Sequence, residues 1–147
     1  MTATTTYALP ADRAYDAAQH TWARYDPSTG TAQIGIDALG QASMGDLAFL
    51  VLPPVGATVR RNIGAGSLEA AKMTGDVLSP LSGAVLAVNE AALRDPSLVN
   101  RDPYGAGWLF TIRPVDWEGE SAQLISGDAV AGWAEAELAR YRAEGWI

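Results

Sequence analysis

The chemistry open to this chain is narrowed by what it lacks. Its ten basic residues are nine arginines and one lysine, Lys72; it has one histidine, His20, and no cysteine. Lys72 is therefore the single ε-amino group, and an enzyme that modifies lysine side chains has one target. The absence of cysteine removes disulfides, thiolate zinc sites and a thiol nucleophile together. One histidine with no second histidine or thiol does not complete a protein-only zinc site of the usual type, so no metal ligand set is expected and His20 is assigned a hydrogen-bonded structural role. No Ser/His/Asp set, metal cluster or phosphate loop can be assembled, which argues against an enzyme in its own right. Redox or group-transfer chemistry must arrive on an attached group.

The elements that position the amine are short strands. The runs around Glu69-Ala70-Ala71 and Asp76-Val77-Leu78 meet at Lys72-Met73-Thr74-Gly75, where small polar residues and glycine supply turn chemistry. Lys72 thus falls near the tip of a hairpin. Most lysines are solvated surface residues without further role, and the flanks set this one apart. Pro53-Pro54-Val55-Gly56 and Pro80-Leu81-Ser82-Gly83 place a Pro-x-x-Gly turn on each side of it, followed by Ala57-Thr58-Val59 and Ala84-Val85-Leu86. This weak internal duplication reads as two similar β units around the hairpin, the layout of a swinging-arm carrier.

The remaining pattern surrounds that unit. Residues 1–19 are polar, alanine-rich and interrupted by Pro10, and read as an N-terminal arm; residues 20–147 read as one domain. His20 to Tyr25 and Thr31 to Ile36 make an opening hairpin across Asp26-Pro27-Ser28-Thr29-Gly30. Asp37 caps a short helix over Ala38 to Ser43. Leu47 to Leu52 is apolar on both faces, which predicts a covered central strand with Phe49 and Leu50 in the core. Arg60 and Arg61 read as a solvated rim. Gly83 to Val88 predicts a strand, Asn89 caps a helix over Glu90 to Arg94, and Trp108 to Ile112 predicts the last strand, with Trp108, Phe110 and Ile112 on one face. Trp117 anchors the chain as it leaves the sheet. Ser126 or Asp128 caps a C-terminal helix whose stripe is Val130, Trp133, Ala134, Leu138 and Tyr141.

Composition bounds the rest. At 147 residues, 48% hydrophobic with five tryptophans, the chain suits one domain with a substantial core. A formal charge of −7 argues against nucleic acid and anionic membrane as partners and favours partners with basic rims. The first residues lack a basic start and an apolar core of signal-peptide length, and no window approaches a spanning helix. The expectation is a soluble cytoplasmic protein, monomeric.

A specific resemblance joins these features. Glu69-Ala70-Ala71-Lys72, followed by Asp76-Val77-Leu78-Ser79-Pro80-Leu81-Ser82-Gly83, resembles the lipoyl-attachment hairpin of the glycine cleavage system H-protein family. In the same order, His20-Thr21-Trp22, Ile34-Gly35-Ile36 through Met44-Gly45-Asp46-Leu47, Leu52-Pro53-Pro54-Val55-Gly56, Val88-Asn89-Glu90 and Leu98 through Trp108 resemble that family's other signatures. The resemblance implies a mainly β, lipoyl-domain-like barrel-sandwich hybrid of two small sheets with short helices and a C-terminal helix. It implies lipoate attached covalently to Lys72, with Glu69, Gly56 and Gly83 read by a lipoate-attaching enzyme. It also implies a dihydrolipoamide dehydrogenase-type flavoenzyme among the partners. Since solvated alkylamines are mostly protonated near neutral pH, the attaching enzyme must supply the base.

The departures from the family pattern bear on which system is served. Thr21 stands where glycine-cleaving H proteins have an acid, and Ser43 where they have a histidine; both positions belong to the cleft that shelters the loaded arm, to which Asp76 also belongs. Ala70, Met73 and Gly75 differ from the usual small or hydroxylated residues of the tip. A bulky residue after the lysine with glycine two further on is similar to the H-protein-like lipoate-binding proteins of bacterial sulfur oxidation, which work with a heterodisulfide-reductase-like complex. The expectation leans to that system, with an aminomethyl carrier of glycine cleavage as the alternative. Two rivals from other classes remain. Glu69-Ala70-Ala71-Lys72-Met73 is one residue from the biotin-carrier signature, and an unmodified β binding module would leave Lys72 incidental.

Overall fold

Two antiparallel sheets of unequal size follow from the strand patterns. The computed structural model describes residues 7–147; the part of the expected N-terminal arm in residues 1–6 lies outside them. The strands are β1 Ala14–Tyr15, β2 Thr21–Asp26, β3 Thr31–Ile36, β4 Leu47–Val51, β5 Thr58–Val59, β6 Gly66–Ala70, β7 Thr74–Val77, β8 Gly83–Val88 and β9 Phe110–Pro114. The helices are α1 Ala38–Met44, α2 Glu90–Arg94, α3 Ser97–Arg101, α4 Trp117–Ser121 and α5 Ala129–Ala143. One sheet has six strands in the order β1-β2-β3-β9-β8-β5; the other has three, β4-β6-β7. The two Pro-x-x-Gly units seen in the sequence lie side by side, with β5 paired antiparallel to β8.

Inward-facing residues of both sheets form one core that includes Ile34, Leu47, Leu50, Leu68, Val77, Val85, Phe110 and Ile112. Removal of such side chains from water is the main force holding the sheets together. A smaller cluster joins Tyr15, Trp22 and Val130 at the other end, where α5 packs on β1 and β2. There the Trp22 indole lies flat on Gly35, where a Cβ would meet it at 2.3 Å. Among the described residues, no helix is long and apolar enough to cross a membrane.

Several expectations need correction. The segment 13–16 is no peripheral arm: Ala14 and Tyr15 pair with Ala23 and Trp22 and are buried. Two residues are too few for a periodic signal, and only pairing with β2 makes them a strand. Leu50 is core as expected, but Phe49 is 65% exposed. The register against β6 slips between Leu47 and Phe49, a β-bulge in which both Ala48 and Phe49 face outward. The outer face of the small sheet is open, so β4 is not a strand covered on both sides. Arg61 is not a free rim charge. Its Nη2 pairs with Asp16 Oδ2 at 3.1 Å and its Nε donates to the Pro80 carbonyl. Trp108 leaves the strand face of Phe110 and Ile112 and packs with the Tyr15 cluster. Trp117 does anchor the chain, stacked on Tyr25 with ring centroids 4.3 Å apart. Asp128 stands at the N-cap position of α5 but makes no side-chain capping bond.

Candidate functional site

The β6–β7 hairpin presents Lys72 at its tip. The strands pair from Gly66↔Val77 to Glu69↔Thr74, and the Ala70 N–H donates to the Met73 carbonyl at 2.8 Å. The turn therefore centres on Ala71-Lys72, with Met73 closing it opposite Ala70. Thr74 and Gly75, expected in the turn, are strand residues paired with Glu69 and Leu68, because the ladder continues closer to the tip than turn propensity implies. Ala71, Lys72 and Met73 are all exposed. None of the ion pairs among the described residues involves Lys72.

A tip this short would fray if held only by its own ladder, and here it is tied from outside. The Lys72 N–H donates to the Met44 carbonyl at 3.0 Å and the Ala71 N–H to the Asp46 carbonyl at 2.9 Å. Between those acceptors, Gly45 ends α1 at φ 78°. A Cβ there would sit 3.2 Å from Ala71 Cβ and 3.3 Å from Lys72 Cγ, so glycine meets both a left-handed backbone and a close approach. The loop is pinned in turn by Asn100 of α3. Its Nδ2 donates to the Gly45 carbonyl at 2.9 Å and to Gln41 Oε1 at 3.0 Å, and its Oδ1 accepts from Leu47 N–H at 2.8 Å. Sequence reasoning gave Gly45 as the residue that breaks the short helix and as part of a resemblance, and Asn100 only as part of the resemblance. The local signal was a glycine after a short helix; Asn100 gave none, because its partners lie more than fifty residues away.

Beside the hairpin is a cleft of about 240 Å³ whose lining includes His20, Thr21, Ser43, Met73, Asp76 and Tyr141. The three residues assigned to an arm cleft are thus brought together. Thr21 Oγ1 is buried without a hydrogen-bond partner among the described residues. Ser43 Oγ donates to the Gly40 carbonyl. Asp76, opposite Ser67 in the ladder and exposed, stands at the rim. Gly56 and Gly83 are elsewhere. Gly56 turns at φ 91° and its N–H donates to the Val85 carbonyl. Gly83 lies in β8, where a Cβ would meet the Arg113 carbonyl oxygen at 2.2 Å. Gly83 is required for close strand approach and not, as a turn assignment implies, for left-handed φ.

His20 forms the inner wall. Its Nδ1 is 2.7 Å from Asp37 Oδ2 and its Nε2 2.6 Å from Glu137 Oε2. The ring stacks on Trp133 and meets Tyr141 edge-on. Burial works against charge on His20, yet the two carboxylates prevail and hold its pKa above the ordinary histidine value. Burial also pushes Asp37 above the usual carboxylate range, with His20 and the Gly40 and Leu39 N–H groups pulling against it. The Arg140 hydrogen bond holds Glu137 low. His20 is thus structural as expected; Glu137, 117 residues distant, was not foreseen.

Two sheets packed face to face with an exposed hairpin at one end make the barrel-sandwich hybrid of lipoyl-carrier domains. Comparison with known proteins narrows that class. Residues 13–137 match the family model described as glycine cleavage H-protein. The glycine cleavage system H protein of Marinobacter nauticus is 40% identical over 129 residues, covering 88% of this chain and 97% of the relative. That of Kocuria rhizophila is 36% identical, covering 82% and 93%. The crystal structure of a glycine cleavage system H protein from Mycobacterium marinum aligns with a TM-score of 0.72 at 33% identity, covering 88% of this chain and 98% of that one. The chain belongs to the glycine cleavage H-protein family. Proteins of this family are non-catalytic carrier subunits with lipoate attached covalently to a lysine.

Proposed function

We propose that this protein is the lipoyl carrier of a glycine cleavage system, with Lys72 as the attachment residue and an aminomethyl group as its cargo. The observation that carries the reading is Lys72 itself, the only lysine in the chain, exposed on a tip whose backbone is tied to Met44 and Asp46. The residues fit lipoate on two counts. The amine is solvent-exposed and outside every ion pair of the described residues, and a cleft with an unpartnered hydroxyl lies beside the hairpin. When bound, lipoate supplies the dithiol and disulfide chemistry that a chain without cysteine lacks.

The protein's own contribution is position and shelter. The clamped tip confines the arm's origin, which raises the local concentration of its end at each partner. Glu69, on β6 and exposed, offers a carboxylate to the lipoate-attaching enzyme. Within the cleft, Asp76 can pair with a cationic cargo and Thr21 Oγ1 and Ser43 can hydrogen-bond it, while Met73 and Tyr141 exclude water. Glycine cleavage enzymes and a dihydrolipoamide dehydrogenase-type flavoenzyme are the partners.

The named relatives support glycine cleavage and lend nothing to sulfur oxidation, reversing the order in which the tip and cleft departures rank the two systems. The test has two stages. Lipoate ligase with lipoate and ATP should add one lipoyl mass to the protein and none to Lys72→Arg. The lipoylated protein should then support glycine turnover with glycine decarboxylase and aminomethyltransferase under anaerobic conditions. A bare Lys72 after the first stage refutes the carrier; a loaded protein inert in the second refutes the glycine assignment.

A further inference from the structure

The outer face of the small sheet carries apolar surface that folding does not explain. Phe49 is 65% and Val51 52% exposed. With Leu50 inside, strand alternation faces Phe49 and Val51 to solvent, and the bulge between Leu47 and Phe49 leaves Ala48 outside while Leu47 points inward as well. The pairing then fixes what surrounds Phe49 and Val51. Phe49 is opposite Glu69, Val51 opposite Ser67, and across the hairpin Ser67 faces Asp76 and Glu69 faces Thr74. Phe49, Val51, Ser67 and Glu69 border one shallow depression. The face therefore combines an apolar edge with two carboxylates, and Lys72 is the only cationic side chain on β4 or the hairpin.

We propose that this face is the docking surface for the enzyme that acylates Lys72, and that its occupant presents an apolar recess flanked by cationic side chains. The proposal rests on the carrier reading. Reach selects this occupant. Enzymes that use a loaded protein meet it at the end of a long arm and need not sit on the hairpin. An acylating enzyme has no arm to span the gap. Nζ must attack the carbonyl carbon of an acyl adenylate as the C–N bond forms and the bond to AMP breaks. The proton lost from Nζ goes to a base of that enzyme, so its active site must close over the tip. Glu69 lies three residues from Lys72, and Phe49 is its cross-strand neighbour, about 5 Å away, so such an enzyme covers both. A second copy of the chain is disfavoured, because it brings a further charge of −7 and the same carboxylates.

The experiment is steady-state acylation by a lipoate ligase with lipoate and ATP, on the wild type, Phe49→Ser, Val51→Ser, Phe49→Leu and Val115→Ser. Val115 is 72% exposed beyond the end of β9 and serves as a control. Phe49→Ser should raise KM about tenfold with kcat little changed, as loss of an aromatic anchor does. Val51→Ser should act in the same direction, Phe49→Leu should restore most of the loss, and Val115→Ser should match the wild type. Once loaded, Phe49→Ser should have its lipoyl disulfide reduced to the dithiol by NADH and dihydrolipoamide dehydrogenase at the wild-type rate. Wild-type KM in both serine variants overturns the proposal. So does an equal loss in Val115→Ser, or a wild-type dimer in sedimentation that Phe49→Ser dissolves. A wild type that is never acylated refutes the carrier reading itself, a distinct result.

Discussion

Asn100→Ala tests whether the lysine tip is positioned from outside the hairpin. The substitution removes three hydrogen bonds, to the Gly45 carbonyl, Gln41 Oε1 and the Leu47 N–H. Each is worth about 0.5–1.5 kcal/mol net, and Leu47 is buried, so a loss of about 2–4 kcal/mol is expected. In a chain of this size that corresponds to a fall in Tm of roughly 6–12 °C. The distinguishing result is local. The Ala71 and Lys72 amides donate to Asp46 and Met44 on either side of Gly45, so their hydrogen-exchange protection should fall even under conditions where β2 and β3 stay fully protected. Asn100→Asp keeps the acceptor for Leu47 but sets an oxygen against the Gly45 carbonyl, and should loosen the same two amides. Unchanged protection at Ala71 and Lys72, in a variant with reduced global stability, would show that the tip holds itself and that the Gly45 loop does not position it.

Three further outcomes are expected. Gly45→Ala combines a left-handed backbone with contacts at 3.2–3.3 Å to Ala71 and Lys72; it should cost about 1–2 kcal/mol and slow lipoylation of Lys72, measured by urea unfolding and intact mass. Gly35→Ala drives a methyl group into the Trp22 ring at 2.3 Å, so destabilisation should reach about 1–3 kcal/mol or more, with a changed tryptophan emission spectrum; a silent substitution would contradict the packing. The third concerns pH. Because the folded state holds the His20 proton more tightly than the unfolded chain, this stabilisation is complete below the unfolded histidine value of about 6.5 and fades as pH rises through the folded value. Between about pH 6.5 and the folded value the Tm of the wild type should therefore decline more steeply than that of His20→Asn, and parallel curves there would show that the contacts with Asp37 and Glu137 contribute no proton linkage.

What the sequence determined by itself is local chemistry. One lysine between two strand-forming runs is a hairpin lysine whatever surrounds it, and Asp37 and Asn89 cap their helices because capping is settled within three residues. The order of short motifs was enough for the family and the two-sheet architecture. Tertiary structure decided everything that depends on a distant partner. An apolar run such as Leu47 to Val51 reads alike whether its sheet is covered once or twice, so only the open outer face shows that Phe49, on the side opposite Leu50, meets solvent. Ala14 and Tyr15 are too short a run to show a period and become a strand because β2 offers an edge. Asn100 and Glu137 look like ordinary polar helix residues, and their roles at the Lys72 tip and at His20 exist only after folding brings segments more than fifty and more than a hundred residues apart into hydrogen-bond distance. Periodicity and capping are written in neighbouring residues, whereas register, solvent faces and buried polar pairs are properties of the packed chain.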